Sequence, residues 1–264
     1  MSYPIFDTHA HYLDGRFERE FEGGTDGAIK RAMEEGVGYF LNASVTLEDS
    51  RRSIDLAHRY DTVYAAAGIH PEDCEPYDIT RVDEVMAELE SLLCDDKVVA
   101  IGEIGLDYHW EVPHDLQKIW FEAQMTLARD LDMPVIIHDR EAHGDVTDTL
   151  LRYPAVRGIL HSYSGSAEMA KELVKYGWYI SFSGTLTFKN ARKPAEVVAA
   201  VPYDRMLVET DCPYLAPHPH RGKINYSGYL VHTVAKLAEL AGLDFDEACR
   251  ITTENAKTIY NIKE

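Results

Sequence analysis

Basic residues are scarce in this chain. Lys plus Arg number 26 against 45 Asp plus Glu, a formal net charge of −19 over 264 residues. Such a surface is poorly suited to wrapping a nucleic acid, which needs clustered cations to displace counterions. Cleaving one remains compatible, provided bound cations reverse the sign locally; two divalent ions would bring about +4. Cysteine is scarce too: Cys74, Cys94, Cys212 and Cys249 are scattered, with no C-x-x-C pair. That argues against a disulfide framework or a cysteine zinc site. Long apolar runs are missing. The longest, such as 98–101 and 135–137, fall far short of the roughly 18 residues of a membrane helix. No basic-then-apolar leader opens the sequence, so a cytoplasmic, reduced protein is expected. No G-x-G-x-x-G follows a strand and no P-loop appears, which disfavours a nucleotide cofactor.

What is present is repetition. Short apolar, β-branched runs recur, each followed by a helical-looking polar stretch. Strands are expected at 5–11, 39–43, 63–68, 98–103, 135–138, 158–161, 178–183 and 206–210. Eight strands alternating with helices imply a parallel sheet, because parallel neighbours need helical crossovers. A length near the roughly 250 residues of a (β/α)8 barrel favours closure over an open sheet. The expected fold is an α/β TIM barrel, one domain over 1–264. Thr46 with Asp49, and Asp244 with Glu247, read as capping boxes. Leu116, Ile119, Trp120, Ala123, Leu127 and Leu131 repeat with helical period after Pro113.

The chemistry-bearing residues fall at the ends of these strands, where barrels of this type place their sites. Residues 6–12 read F-D-T-H-A-H-Y, and two histidines flanking one residue on a strand share a face. Glu103 ends A-I-G-E, in phase with Ile101 and Val99; His138 ends V-I-I-H; His161 ends G-I-L-H; Glu209 and Asp211 end L-V-E-T-D. Groups of this kind converging on one mouth stay unpaired or repel unless something cationic joins them. Four histidines and two carboxylates exceed what one tetrahedral zinc takes, and suit two metals bridged by Glu103. The mixed nitrogen and oxygen donors leave Mg, Mn and Zn all open.

The chain resembles the TatD family of metal-dependent deoxyribonucleases, within the amidohydrolase-like barrels. The matching stretches are F-D-T-H-A-H at 6–11, A-A-G-I-H-P at 66–71, I-G-E-I-G-L-D-Y-H at 101–109 and P-V-I-I-H-D-R at 134–140. H-S-Y-S-G at 161–165, G-W-Y-I-S-F-S-G at 177–184, V-E-T-D-C-P-Y-L-A-P at 208–217 and R-G-K-I-N at 221–225 complete the set. The resemblance implies two divalent cations, one held by His9, His11 and Asp211, the other by His138 and His161, with Glu103 between them. It implies a 3′–5′ exonuclease type of DNase. After Arg221-Gly222-Lys223 the family usually continues Asn-Glu-Pro, whereas this chain has Asn225-Tyr226-Ser227.

On this reading Asp211 accepts the proton of the attacking water and Glu103 serves as bridging ligand. Arg140, Arg221 and His70 are the candidate substrate contacts, and Glu209 is expected to orient a ligand imidazole. Tyr12, Tyr108, Trp110, Tyr163, Tyr214 and Tyr226 all fall near strand ends and are expected to be ordinary packing. His218 and His220 look like another ligand pair, but their proline-rich setting assigns them to a loop outside the metal set. The expected partner is DNA, a few nucleotides at a free end, met by a monomer without membrane contact. The rival readings are a hydrolase of a small ester, amide or phosphoester on the same barrel, and a non-catalytic binding protein.

Overall fold

Eight parallel strands wind in chain order in the computed structural model, which describes residues 3–263. They are β1 (Ile5–Ala10), β2 (Val37–Asn42), β3 (Val63–Ala67), β4 (Val98–Asp107), β5 (Val135–Arg140), β6 (Gly158–Leu160), β7 (Tyr179–Phe182) and β8 (Met206–Val208). Each pairs with the next, and helices return the chain between them, as parallel pairing demands. The architecture is the expected (β/α)8 barrel. Among the described residues no helix is long and apolar enough to cross a membrane.

One apolar cluster takes one residue from every strand: Phe6, Leu41, Ala66, Ala100, Ile136, Ile159, Tyr179 and Leu207. This is the barrel interior, and Ala256 and Ile259 of the last helix, Phe245–Ile259, with Tyr260 just after it, close one end of it. The residues next to these, such as Ile5, Phe40, Ile101, Ile137 and Val208, join a larger cluster between sheet and helices. Strands buried on both faces explain why they read as continuous apolar runs rather than alternating ones.

The barrel closes between β1 and the residues after β8. His11 N–H donates to the Cys212 carbonyl at 2.8 Å and Asp211 N–H to the His9 carbonyl at 2.9 Å. Buried Asp7 reinforces the seam, accepting from Thr210 N–H at 2.9 Å, the Thr210 hydroxyl at 2.6 Å and the Ser227 hydroxyl. Burial nevertheless pushes the Asp7 carboxyl up to about 6. The chain's own variation in the loop at 225–227 therefore packs inward: Asn225 donates to the Thr210 and Tyr214 carbonyls, and Ser227 to Asp7.

Two expectations change in detail. β4 runs on to Asp107, past a register irregularity between Ile101 and Ile104 and past Gly105 at φ +142°. A Cβ at Gly105 would lie 2.0 Å from the His138 carbonyl oxygen, so only glycine lets β4 approach β5 this closely. Thr46 caps its helix through a 3.0 Å bond from Asp49 N–H, as expected, whereas the Asp244 side chain makes no such bond.

Candidate metal centre

Simple alternation carries three of the strands to the mouth. His138 lies two residues past the interior residue Ile136, His161 two past Ile159, and Glu209 and Asp211 two and four past Leu207. β1 and β4 differ. Their interior residues are Phe6 and Ala100, out of phase with His9 and Glu103, and Ile101 packs outward under the helices. Register irregularities between Asp7 and Ala10, and between Ile101 and Ile104, bring His9 and Glu103 into line. The expected phase of Glu103 with Ile101 is thus corrected by a bulge.

Glu103 sits at the centre, 2% exposed, with its two oxygens turned to different partners. Oε2 lies 3.2 Å from His9 Nε2 and 3.4 Å from His11 Nε2. Oε1 lies 2.6 Å from His138 Nδ1 and 2.7 Å from His161 Nε2. Asp211 closes the first group, its Oδ1 being 3.4 Å from His11 Nε2 and 3.8 Å from His9 Nε2. The left-handed backbone at Asp211, φ +55°, is unusual for a residue other than glycine and is a feature of functional sites. In the turn before Pro213 it is the Asp211 carbonyl that accepts from Tyr214 N–H, which leaves the side chain to the mouth.

Second partners fix which nitrogen faces inward in His11 and His138. His11 Nδ1–H donates to the Ala43 carbonyl at 3.2 Å, leaving Nε2 for the centre. His138 Nε2–H donates to Asp107 Oδ2 at 2.8 Å, leaving Nδ1. Glu209 accepts from Ser162 N–H at 2.7 Å and lies 3.4 Å from His161 Nδ1, where it was expected. His70 is different: its Nδ1 accepts from Glu72 N–H at 3.2 Å, which puts its proton on Nε2, 3.5 Å from Glu103 Oε1. It therefore presents a donor to the mouth rather than a lone pair.

The donor set fits divalent cations. Four imidazole nitrogens and two carboxylates converge here, and protons alone hold them together poorly. Burial disfavours charge, yet hydrogen bonds to Asp211 and Glu103 hold His11 up to about 10. Bonds to Asp107 and Glu103 likewise hold His138 up to about 9. Burial would raise Glu103 too, but the surrounding imidazoles, His161 and His9 foremost, keep its carboxyl well below the usual range. Burial and the His161 charge push His9 down, against the pull of Glu103. Replacing shared protons by cations removes this conflict.

Asp107 was not singled out by sequence reasoning. The signal was present: once β4 runs through Gly105, Glu103 and Asp107 are four apart on one face. Carboxylates behind metal-bound imidazoles typically contribute 10- to 100-fold to metal affinity. Asp107→Ala is expected to weaken metal binding by about that factor, and Asp107→Asn, which keeps an acceptor, by less. Competition with a chromophoric chelator measures this; unchanged affinity in the alanine variant would refute the role.

The centre opens into a cavity of about 700 Å³. Asp14, Asp49, Glu72, Asp73 and Asp139 line it in addition to Glu103 and Asp211, with Arg140 as its one Lys or Arg among the described residues. No carboxylate lies within ion-pair distance of the Arg140 guanidinium among those residues, because Glu141 turns to His109 at 3.1 Å. Arg140 instead lies 5.8 Å over the Trp110 ring. Arg221 is not brought to this wall; it lies 3.7 Å over Phe188. The aromatics divide. Tyr12, Tyr163 and Tyr226 are buried, and Tyr108 stacks on His114 at 3.7 Å. Trp110 and Tyr214, expected to be packing, line the cavity while 49% and 48% exposed, and Arg16 lies 4.1 Å over Tyr214.

The family model described as TatD related DNase matches residues 6–261. An uncharacterized metal-dependent hydrolase of Bacillus subtilis, YabD, is 44% identical over 98% of this chain and 99% of its own. Its counterpart in Mycobacterium tuberculosis, an uncharacterized metal-dependent hydrolase named TatD, is 38% identical over 98% of each. The crystal structure of YjjV, a TatD homolog from Escherichia coli K12, superposes with a TM-score of 0.89 at 31% identity over 100% of both chains. On this evidence the chain belongs to the TatD-related DNase family.

Proposed function

We propose that this protein is a divalent-metal-dependent hydrolase that cleaves DNA phosphodiester bonds from a free 3′ end. The observation that carries this reading is the Glu103 carboxylate, with one oxygen turned to His9 and His11 and the other to His138 and His161. Two ligand groups sharing one carboxylate are the arrangement of two-metal phosphodiester and phosphate hydrolases. Mg, Mn or Zn would be held by His9, His11 and Asp211 on one side and His138 and His161 on the other. Bound there, two such cations supply an ionised water near neutral pH and positive charge for the phosphoryl oxygens.

The chain's own groups do the rest. Asp211, beside His11 at the open side, accepts the proton of the attacking water. Arg140, without a carboxylate partner among the described residues, binds a phosphate oxygen in the fork geometry that guanidinium favours. His70 Nε2–H donates to a second oxygen. Trp110 and Tyr214 are exposed aromatic faces at the entrance on which unpaired bases stack. Several acidic side chains around the cavity oppose a long polyanion, so the grip extends over a few nucleotides at an end.

A second reading has its own observation. A cavity of about 700 Å³ lies within the range of small-ligand pockets, and its acidic lining opposes a small ester or phosphoester less than it opposes a long polyanion. Trp110→Ala and Tyr214→Ala separate the two. Base stacking is worth about 1–3 kcal/mol, or roughly 5- to 150-fold. Each variant is expected to raise KM for single-stranded DNA within that range and leave KM for bis(4-nitrophenyl) phosphate unchanged. Equal effects on both substrates would favour the small-molecule reading. The direct test is end-labelled single-stranded DNA with metal, against EDTA and a closed circular strand. Stepwise shortening of the linear strand alone supports the proposal, and rapid cutting of circles overturns the end requirement.

A further inference from the structure

Outside the barrel mouth the fold brings together a second kind of imidazole pair. His220 lies in the loop after β8, and His232 lies in the first turn of the helix Leu230–Ala241. Their Nε2 atoms face each other at 3.2 Å, with rings tilted 51° and centroids 5.0 Å apart. The ligand pairs at the mouth have nearly this spacing: His9 and His11 Nε2 are 3.1 Å apart, as are His138 Nδ1 and His161 Nε2. Two nitrogens each about 2.0–2.1 Å from a common cation and 3.2 Å from one another subtend roughly 100–106°, close to tetrahedral.

We propose that His220 and His232 form a separate binding site for a borderline transition-metal dication, Zn2+, Cu2+ or Ni2+, completed by solvent. Imidazole nitrogens without carboxylate oxygens select these ions over Mg2+ and Ca2+. The ring of His220 is held in plane by Tyr229, which stacks on it at 3.8 Å and 3°. Both rings are partly exposed, so water can reach the remaining positions. Partial burial pushes both imidazoles below their ordinary pKa, so they are neutral near pH 7 and both lone pairs are available. Lys223, whose charge also lowers His220, and the positive end of the helix oppose a cation; they make the site weaker than the mouth without removing it. A bound ion would tie the loop that follows Asp211 to the helix behind it.

Equilibrium dialysis of the full chain against Zn2+, at concentrations that saturate the mouth, tests the site. The wild-type protein is expected to bind one more equivalent than His220→Ala or His232→Ala, with that equivalent at least tenfold weaker in each variant. Hydrolytic activity is expected to stay unchanged in both, and Mg2+ is expected to compete for none of it. Cu2+ electron paramagnetic resonance on the wild type reads the same site without substitution: the extra equivalent should show two coupled nitrogens. Equal stoichiometry in all three proteins, or an extra Cu2+ signal without two-nitrogen coupling, overturns the site.

Discussion

Glu103→Ala is expected to reduce hydrolysis by about 10³-fold or more, because one substitution removes the group shared by both halves of the centre. If the centre holds two metals as proposed, bound metal should fall from two equivalents per chain toward none, measured by elemental analysis after dialysis. The consequence for stability differs from that of an ordinary cavity. In the metal-free protein Glu103 is the common counter-ion of His9, His11, His138 and His161, so its loss leaves imidazoles facing one another. These respond by losing protons, and the raised values of His11 and His138 should fall toward or below the ordinary histidine range. Glu103→Gln preserves shape and removes charge, and it should behave like the alanine variant in metal content. Adding metal should raise the Tm of the wild type and leave both variants unmoved. A glutamine variant that keeps two metals and full activity would refute the bridging role.

The second large effect is expected at Asp211. In the proposed mechanism Asp211→Asn keeps an oxygen ligand and removes the base, so kcat should fall by roughly 10²–10⁴-fold with the metals largely retained. Burial raises the Asp211 carboxyl, but its hydrogen bond with His11 and the nearby imidazole charges outweigh burial and hold it below the usual range. The sign follows directly. A depressed pKa keeps the base form present through neutral pH and well into the acid range, so loss of activity between pH 7 and 5 should not report Asp211. Any such limb should persist in the variant. If Asp211→Asn holds both metals at wild-type kcat, the base is another group; if it loses a metal, the carboxylate charge is needed for ligation and the kcat loss does not report a base.

Much of this site was legible because three strands obey a simple rule. Ile136–His138, Ile159–His161 and Leu207–Glu209–Asp211 each step by two from the barrel interior to its mouth. His9 and Glu103 could be named as mouth residues by strand position, but the reason they face inward could not. It lies in register irregularities whose cost and benefit depend on neighbouring strands. The same irregular stretch hid Asp107, since ending β4 at Glu103 leaves the partner of His138 in a loop. Trp110 and Tyr214 were misjudged because an aromatic near a strand end looks the same in sequence whether a helix covers it or solvent does. The pairing of His220 with His232, rather than with His218, depends on how a proline-rich loop folds back on a helix, which no local pattern encodes.

The seam between β1 and the end of β8 has a consequence for biosynthesis. Asp7 and Thr210, which join across it, are 203 positions apart. At roughly 5–20 residues per second, His9 and His11 emerge from the ribosome about 10–40 s before Asp211. Throughout that interval the nascent chain lacks at least one of the six candidate ligands, and the barrel has no seam to close. On the proposed ligand set, hydrolytic competence arrives only when translation is nearly finished.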